Sequence, residues 1–344
     1  MKSKLRGWAF LAISLAPYLA YLSFIIQLNQ GPIDYETFMQ IGQRWRDGAE
    51  VYVENSYYPL PYVMIFAAFS ALPRPLSMAL WLGWPVLAVL IITRGRAWAL
   101  WFAPVFAHFV GGQSSALAML GLWGFRRNLQ TDSAKAGMWL SLMTLKPQLG
   151  LLPILFAVGQ WYKLYRATGR VPRSAWSFGL ATAAIYLPSF ILMPDWPVRW
   201  LSVPRPFFER ALAGFVPRTL WVLLGEQTVA IVVLWLILTG LILAGIWRAT
   251  RRFSLEALVL WGFVVNPLVH DYDLLQLVPV LEDKKLAWAA VLASLPTWWV
   301  ILFAYNVDAA WYLVTLIAPV VLFMYLGMKT PGSATPPPET APPR

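Results

Sequence analysis

Lys146 is the only charged residue in a long apolar stretch. From residue 136 to 160 the sequence reads AGMWLSLMTLKPQLGLLPILFAVGQ. A cation at the centre of such a stretch costs about 2.5–3.5 kcal/mol to insert into a bilayer. Pro147 follows at once, so we expect a helix break at the charge. Such a break usually lines a site, where the ammonium suits an anion, most simply a phosphate. A lysine that snorkels from a helix end is the alternative.

Two further stretches, 111–115 (GGQSS) and 266–273 (NPLVHDYD), also interrupt apolar runs with polar residues. Asp271 and Asp273 have the D-x-D spacing that holds a divalent metal in nucleotide-sugar enzymes. Two carboxylates are weak evidence for a metal, and they also complement the dipole at a helix start. We therefore predict no metal site. His270 is one of only two histidines, and we expect the other, His108, to be a packing residue.

Asp34 lies just after the first apolar stretch, in a polar segment. A carboxylate at the external membrane surface can take the proton of a hydroxyl group that binds within hydrogen-bond reach. Asp34 is therefore a candidate general base. The alternative is a solvated loop carboxylate beside Glu36.

A second polar segment, at 195–217, is rich in arginine. We expect Arg205 in this segment and Arg218 at its edge to hold a lipid phosphate or head group, with Arg199 and Arg210 nearby. A loop that only touches phospholipid at the interface is the alternative.

The composition is that of a membrane protein. Hydrophobic residues make up 59% of the chain and charged residues 12%, with a mean hydropathy of +0.59. Twenty tryptophans fit the enrichment of aromatic residues at membrane interfaces. The absence of cysteine excludes disulfides and cysteine-based metal or redox chemistry. The basic start and long apolar part of residues 1–27 predict an uncleaved first span.

The net charge of +11 reflects topology and does not indicate nucleic-acid binding. The cations form short clusters between apolar segments, which is the positive-inside pattern of cytoplasmic loops. These clusters lie at residues 2–6, 94–96, 126–135, 163–173, 248–252 and 284–285. The apolar segments between them must leave the cytoplasm and return to it.

This pattern predicts an all-α polytopic membrane protein with about twelve crossings and both termini inside. Residues 1–328 form one transmembrane domain, with external segments at 28–58 and 195–217. The Pro-rich residues 329–344 form a disordered cytoplasmic tail. The stretches 97–125 and 136–162 give arms of about 14 residues, or roughly 21 Å of helix. Because a hydrocarbon core is roughly 30 Å thick, these arms leave their polar apices in a cavity open to the outer side.

The order of several short motifs resembles glycosyltransferase family 87. The first external segment contributes Asp34, Gly48, Tyr52 and the stretch Tyr58-Pro59-Leu60-Pro61. Gly112-Gln113, then Leu145-Lys146-Pro147-Gln148, then Asn266-Pro267 with His270 and Tyr272, follow in the family's order. The resemblance covers roughly residues 28–282. The family usually has Tyr-Pro-Pro where this chain has Tyr58-Pro59-Leu60-Pro61, and the chain is short, so its acceptor site is expected to be abbreviated.

The resemblance implies a GT-C fold and a polyprenyl-phosphate sugar donor, with mannose as the family's usual sugar. It also implies that Asp34 is the catalytic aspartate. On this hypothesis Asp34 deprotonates a lipid or glycan acceptor, His270 orients the donor, and transfer inverts the anomeric carbon by a single displacement. The expected donor- and phosphate-binding residues are Lys146, Gln113, Gln148, Arg205, Arg218, Tyr58 and Tyr272. No cofactor is expected, and the site faces the external or periplasmic side of the plasma membrane.

The residues leave two other functions open. A transporter or lipid flippase also uses broken helices with charges near the bilayer midplane. Such proteins usually contain inverted repeats, and the sequence has no convincing internal repeat. A non-catalytic membrane scaffold fits the short loops. The chain also lacks the G-x-G-x-x-G and P-loop motifs, so a donor would arrive through the membrane or from outside.

Overall fold

The computed structural model describes residues 2–53, 56–203, 214–225, 227–250, 254–281, 283–303, 313 and 315–328. Every regular element in these ranges is a helix, which confirms the predicted all-α class. Residues 204–213 of the segment 195–217, which include Arg205 and Arg210, and the predicted tail 329–344 lie outside the described residues.

The bounds of the helices follow in chain order. They are α1 Lys2–Leu28, α2 Ile33–Arg46, α3 Leu60–Ser70, α4 Arg74–Ile92, α5 Trp98–Trp101, α6 Ala103–Gly111, α7 Ala116–Asn128, α8 Ala134–Ser141, α9 Pro147–Thr168, α10 Arg173–Leu192, α11 Trp196–Ser202, α12 Phe215–Leu224, α13 Thr228–Thr250, α14 Leu255–Val265, α15 Lys284–Ala293, α16 Leu295–Phe303 and α17 Ile317–Met328. Short 3₁₀ helices cover Leu129–Thr131, Leu142–Leu145 and Asp271–Val280.

Five helical stretches in the described part of the chain are long and apolar enough to cross a membrane. They are Gly7–Leu28, Arg74–Ile92, Arg173–Leu192, Thr228–Gly245 and Lys284–Phe303, the last made of α15 and α16 end to end. Large apolar side chains cover the outside of α10, where Leu180 is 69% and Ile191 70% exposed. This pattern fits a helical membrane protein. The structure provides five such stretches and does not confirm the predicted twelve.

The predicted helix breaks are confirmed where proline, glycine or the charge occurs. α6 ends at Gly111, and Gly112 then adopts a left-handed conformation with φ of +67°. α9 begins at Pro147, directly after Lys146. α14 ends at Val265, before Asn266-Pro267. The short arms are confirmed for α6 and α7, with 9 and 13 residues.

The predicted length of about 14 residues was wrong for α9, which has 22. That prediction ended the arm where the apolar residues end, at residue 162. The helix instead continues through Lys163–Thr168, where four of the six residues are good helix formers. It stops at Gly169, whose φ of +67° provides a left-handed end.

The first external segment contains a helix, α2, that sequence reasoning did not predict. Its buried residues include Tyr35, Phe38 and Gly42, which form one face packed against α3. The rings of Phe38 and Phe66 are stacked with centroids 4.6 Å apart. A Cβ added at Gly42 would lie 2.4 Å from the backbone of Phe66, so the two helices meet at a backbone contact. This packing fixes the first turn of α2, which carries Asp34.

Candidate functional site

The loop of residues 112–115, between α6 and α7, is the centre of the polar region. Its first residue, Gly112, packs against the start of α2: an added Cβ would lie 2.8 Å from the Cβ of Tyr35. Glycine is required here both by this contact and by the positive φ. The indole Nε1 of Trp81 in α4 donates to the carbonyl oxygen of Gly112 over 2.8 Å. The loop is thereby attached to α2 and α4.

Two further side chains hold the other end of the same loop. The hydroxyl of Tyr62 in α3 donates to the carbonyl oxygen of Ser114. The backbone N–H of Ser115 donates to Nε2 of His108 over 3.1 Å. His108 is buried, as expected of a packing residue.

Lys146 forms a buried ion pair with Asp273. Its Nζ lies 2.6 Å from Oδ1 of Asp273 and 2.7 Å from Oγ of Ser115. The Ser115 hydroxyl in turn donates to the same carboxylate oxygen. Lys146 is 3% exposed and Asp273 is fully buried, so neither charge is solvated by bulk water. The 111–115, 146–148 and 266–273 breaks therefore meet at one point, as the sequence predicted.

The carboxylate of Asp273 also organises the start of the 3₁₀ helix Asp271–Val280. Its Oδ2 accepts the backbone N–H of His270 over 3.0 Å. The rings of His270 and Tyr272 are stacked, with centroids 5.1 Å apart. Nζ of Lys146 lies 5.4 Å from the centre of the Tyr272 ring. Both predicted residues of this break, His270 and Tyr272, thus lie beside Lys146.

Sequence reasoning placed Lys146 at a site and did not identify its partner. Asp273 was considered only as a weak metal ligand or a dipole-complementing carboxylate. A usable signal was present, because a buried cation needs a counter-charge and Asp271 and Asp273 are the carboxylates of the third predicted break. The anion next to Lys146 is therefore a carboxylate of the protein itself.

Asp34 lies on the other side of the 112–115 loop. The side-chain amide of Gln113 donates to Oδ2 of Asp34, and Gln113 itself is 3% exposed. Burial is the largest influence on the Asp34 carboxyl and raises its pKa to about 6. The positive charge of Lys146 and the Gln113 hydrogen bond oppose this rise, and the charge of Asp273 adds to it. Asp34 is thus a half-buried carboxylate with a pKa close to neutral.

Tyr58 forms part of the aromatic wall beside Asp34 and the loop. Its hydroxyl lies 3.3 Å from Oγ of Ser114, which donates to it. Its ring contacts those of Phe38 and Tyr62 edge-on, at 5.0 and 5.5 Å. The predicted site residue Tyr58 therefore lies with Gln113 on the α2 side of the loop.

Gln148 contributes to the framework through its backbone. Nδ2 of Asn266 donates to the carbonyl oxygen of Gln148 over 2.7 Å. Nε2 of Gln276 donates to the carbonyl oxygen of Leu149 over 3.3 Å. These bonds satisfy carbonyl groups at the start of α9 and connect it to the 266–276 region. Gln148 also lines a small cavity between α9 and α14.

Arg218 lies in the first turns of α12, next to the same region. Gly214, which precedes α12, packs against the backbone of Asn266, where an added Cβ would lie 2.1 Å from the carbonyl oxygen. The guanidinium lies 5.9 Å from the centre of the Trp221 ring. The positive charge of Arg218 is close enough to both His270 and Asp271 to interact with them electrostatically. Arg218 therefore adds a positive charge near the buried ion pair.

The described residues around this loop combine a carboxylate with a raised pKa, a buried ion pair and an arginine. This set can accept a proton at Asp34 and present positive charge from Arg218 to an anion. Among the described residues no three His, Asp or Glu side chains are grouped as metal ligands. Comparisons with protein-family models, curated proteins and solved structures found no match to this chain.

Proposed function

We propose that this protein is a membrane glycosyltransferase that moves a sugar from a polyprenyl-phosphate donor to a lipid or glycan acceptor. The observation that carries the proposal is a pair of contacts made by two residues of one short loop, Gln113 and Ser115. Gln113 holds Asp34, and Ser115 holds the Lys146–Asp273 pair. The loop thereby holds the candidate base Asp34 at a fixed position relative to the buried Lys146–Asp273 pair. Displacement at a sugar carbon requires such fixed positions of the reacting groups.

In the proposed reaction Asp34 takes the proton of the acceptor hydroxyl. The acceptor oxygen then bonds to the anomeric carbon as the bond from that carbon to the phosphate oxygen breaks, which inverts the configuration. The electron pair of that bond leaves with the polyprenyl phosphate, whose charge needs a cation. A pKa of about 6 leaves Asp34 deprotonated at neutral pH and close to the optimum for a general base.

We assign the donor phosphate to Arg218 and the positioning of the donor to His270 and Tyr272. Lys146 was first expected to bind the phosphate itself. Its Nζ is already bonded to Asp273 and Ser115 and is almost fully buried, which argues for a positioning role. The pair holds the 266–273 stretch, and with it His270 and Tyr272, against the loop that carries Gln113.

The proposal includes a GT-C-like arrangement of about twelve crossings, with the site toward the external or periplasmic side of the plasma membrane. Mannose is the first sugar to test because it is the usual sugar of the family that the motifs resemble. The amphipathic helix α2, with its polar face and its two first-turn carboxylates, suits a membrane–water interface on that side.

The test is sugar transfer in proteoliposomes of the full chain, with a panel of polyprenyl-phosphate sugars and extracted membrane lipids as acceptors. We expect Asp34→Asn to reduce transfer about 10²- to 10⁴-fold, because the base is lost. Glu36→Gln is the matched control. Glu36 lies two residues away on α2, but its carboxylate pairs with Arg74, whereas Gln113 bonds to Asp34. Transfer by this variant should therefore stay near the wild-type rate. Full transfer by Asp34→Asn would contradict the assignment of the base.

Transport is the second candidate, because a buried Lys–Asp pair at broken helices is also a feature of transporters. The same vesicles distinguish the two functions. Movement of labelled donor lipid between leaflets, without a new glycosidic product and unaffected by Asp34→Asn, would favour transport over transfer.

A further inference from the structure

A second cavity lies at the far end of α4 from Asp34. Arg74, the first residue of α4, pairs with Glu36 of α2, the helix that carries Asp34. α4 then runs for 19 residues to Ile92, about 28 Å at a rise of about 1.5 Å per residue. This is close to the roughly 30 Å of a hydrocarbon core. The last residues of α4, Ile91 and Ile92, line the cavity. If α4 crosses the membrane, the cavity therefore lies near the opposite face from the candidate site.

The cavity has a volume of about 490 Å³ and a basic lining. Arg94, Arg96 and Arg127 contribute to its wall, and all three are exposed. Within the part of the chain that the structure describes, no aspartate or glutamate lines it. A cavity of this size fits a small polar group such as a lipid head group.

The backbone of Arg94 is unusual for an arginine. It follows the end of α4 with a φ of +55°, a conformation that favours glycine. The N–H of Arg94 donates to the carbonyl of Ile91 over 3.2 Å, and that of Gly95 to the carbonyl of Leu90 over 2.7 Å. These two bonds form a Schellman motif, in which glycine is the usual residue at the position of Arg94. An arginine in this position is better explained by its side chain than by the turn.

The opposite wall is held in place by a neighbouring arginine. Arg126 bonds to Glu256 over 2.8 Å and to the carbonyl oxygen of Pro279 over 3.3 Å. Pro279 itself lines the cavity. The guanidinium of Arg127, the next residue, lies 5.6 Å from the centre of the Trp123 ring. Trp123 and Trp98, which also lines the cavity, are residues typical of a membrane interface.

We propose that this cavity is a binding site for a phosphate group carried by an anionic phospholipid, with Arg94 and Arg127 as its principal ligands. Arginine presents a planar fork of N–H donors that matches phosphate oxygens. Basic pockets between transmembrane helices on the cytoplasmic side bind anionic head groups by this chemistry. The same residues would also accept soluble phosphate. The proposal is independent of the function assigned to the Asp34 site.

The test uses the full chain in detergent micelles and measures the unfolding temperature against added phosphatidylglycerol, phosphatidylcholine or inorganic phosphate. We expect saturable stabilisation by phosphatidylglycerol and none by phosphatidylcholine. Arg94→Gly and Arg127→Gln should each raise the half-saturating concentration roughly tenfold, the effect of losing one charged hydrogen bond. Without lipid, Arg94→Gly should unfold at the wild-type temperature or above, because glycine suits its backbone. Weaker binding by that variant therefore does not reflect a damaged fold.

Arg166→Gln is the matched control. Arg166 also lies four residues after an aromatic ring, 5.9 Å from Tyr162, on the exposed part of α9 and away from this cavity. It should bind lipid as the wild type does. Equal weakening by Arg166→Gln, or unchanged binding by both cavity variants, would overturn the proposal. Saturation by phosphate alone, lost in the cavity variants, would support the site and identify its ligand as soluble.

Discussion

Two ion pairs in this protein have almost the same length and opposite surroundings. Lys146 and Asp273 are 2.6 Å apart and 3% and 0% exposed, whereas Arg199 and Asp195 are 2.7 Å apart and 45% and 54% exposed. Water solvates the charges of the second pair whether or not they meet. The charges of the first pair depend on each other and on Ser115. The buried pair is therefore costly to break, and the exposed pair is not.

The two pairs also differ in how far apart their residues lie in the sequence. Arg199 lies in α11 and Asp195 directly before it, four residues apart. Lys146 and Asp273 are 127 residues apart and lie at two different helix breaks. Of these two pairs, only Lys146–Asp273 joins distant parts of the chain. Its loss should therefore disturb the site as well as the stability.

The largest expected effect comes from removing one partner of the buried pair. Lys146→Met leaves the Asp273 carboxylate buried without a cation, which should lower the free energy of unfolding by about 3–5 kcal/mol. Unfolding by sodium dodecyl sulfate, starting from neutral micelles, measures this change. Lys163→Met, at an exposed lysine of α9, the helix that follows Lys146, is the control and should have little effect.

The double variant Lys146→Met with Asp273→Asn sharpens this prediction. It removes both charges and leaves an amide that can still bond to Ser115, so most of the lost stability should return. Transfer activity should stay low if the pair positions His270 and Tyr272. A double variant as unstable as the single one would show that packing, rather than the unpaired charge, causes the loss.

Asp34 is intermediate between the two pairs, being half-buried and bonded to an uncharged amide. Because a general base acts when deprotonated, transfer should increase with pH around a midpoint of about 6 and level off above it. The Gln113 hydrogen bond lowers the pKa of Asp34, so Gln113→Leu should move the midpoint to higher pH and slow transfer. A pH–rate profile of both proteins tests this. An unchanged midpoint in Gln113→Leu would mean that the amide does not act on the base.

The carboxyl of Asp34 affects stability and transfer in opposite directions: raising the pH increases transfer and removes its contribution to stability. Its folded-state pKa is raised, so the folded protein holds its proton more tightly than the unfolded chain. The contribution of Asp34 to stability is therefore present at acidic pH and is lost as the pH rises through about 6.

The smallest expected effect is that of Arg199→Gln. Arg199 pairs with Asp195 and with Glu50, and all three side chains are exposed. Its hydrogen bond and charge hold the pKa of the Asp195 carboxyl below its usual range. We expect no measurable change in unfolding temperature, and none in transfer, at physiological ionic strength. A loss comparable to that of Lys146→Met would contradict the contrast between the two pairs.

The sequence was sufficient to predict the helix breaks, because each depends on local chemistry. Pro147 ends the preceding helix by its ring, and Gly112 permits the positive φ that ends α6. The sequence also identified Lys146, because a single cation in a long apolar run is unusual in any fold. We expected the three breaks to converge because the charge pattern assigned all of them to the same side of the membrane.

The pairing of the residues could not be predicted in the same way. The contact of Gln113 with Asp34 joins residues 79 positions apart, and it depends on how α2 packs on α3. That packing rests on Gly42 and Phe38, in a segment whose polar composition favoured a loop. The predicted number of spans is not confirmed by the described stretches either. Short apolar runs such as α3, α12 and α14 are compatible with both a partial crossing and a buried helix.

The attachment of the 112–115 loop has a consequence for motion. Trp81, Tyr62 and His108 each hold a different backbone group of the loop, and they come from α4, α3 and α6. A rocking movement that separated these helices would have to break all three bonds together, at about 1 kcal/mol for each bond and more if the groups stayed buried without partners. The loop therefore acts as a fixed joint between the helices. Access to its residues is more readily gained by a ligand entering from the side than by the helices swinging apart.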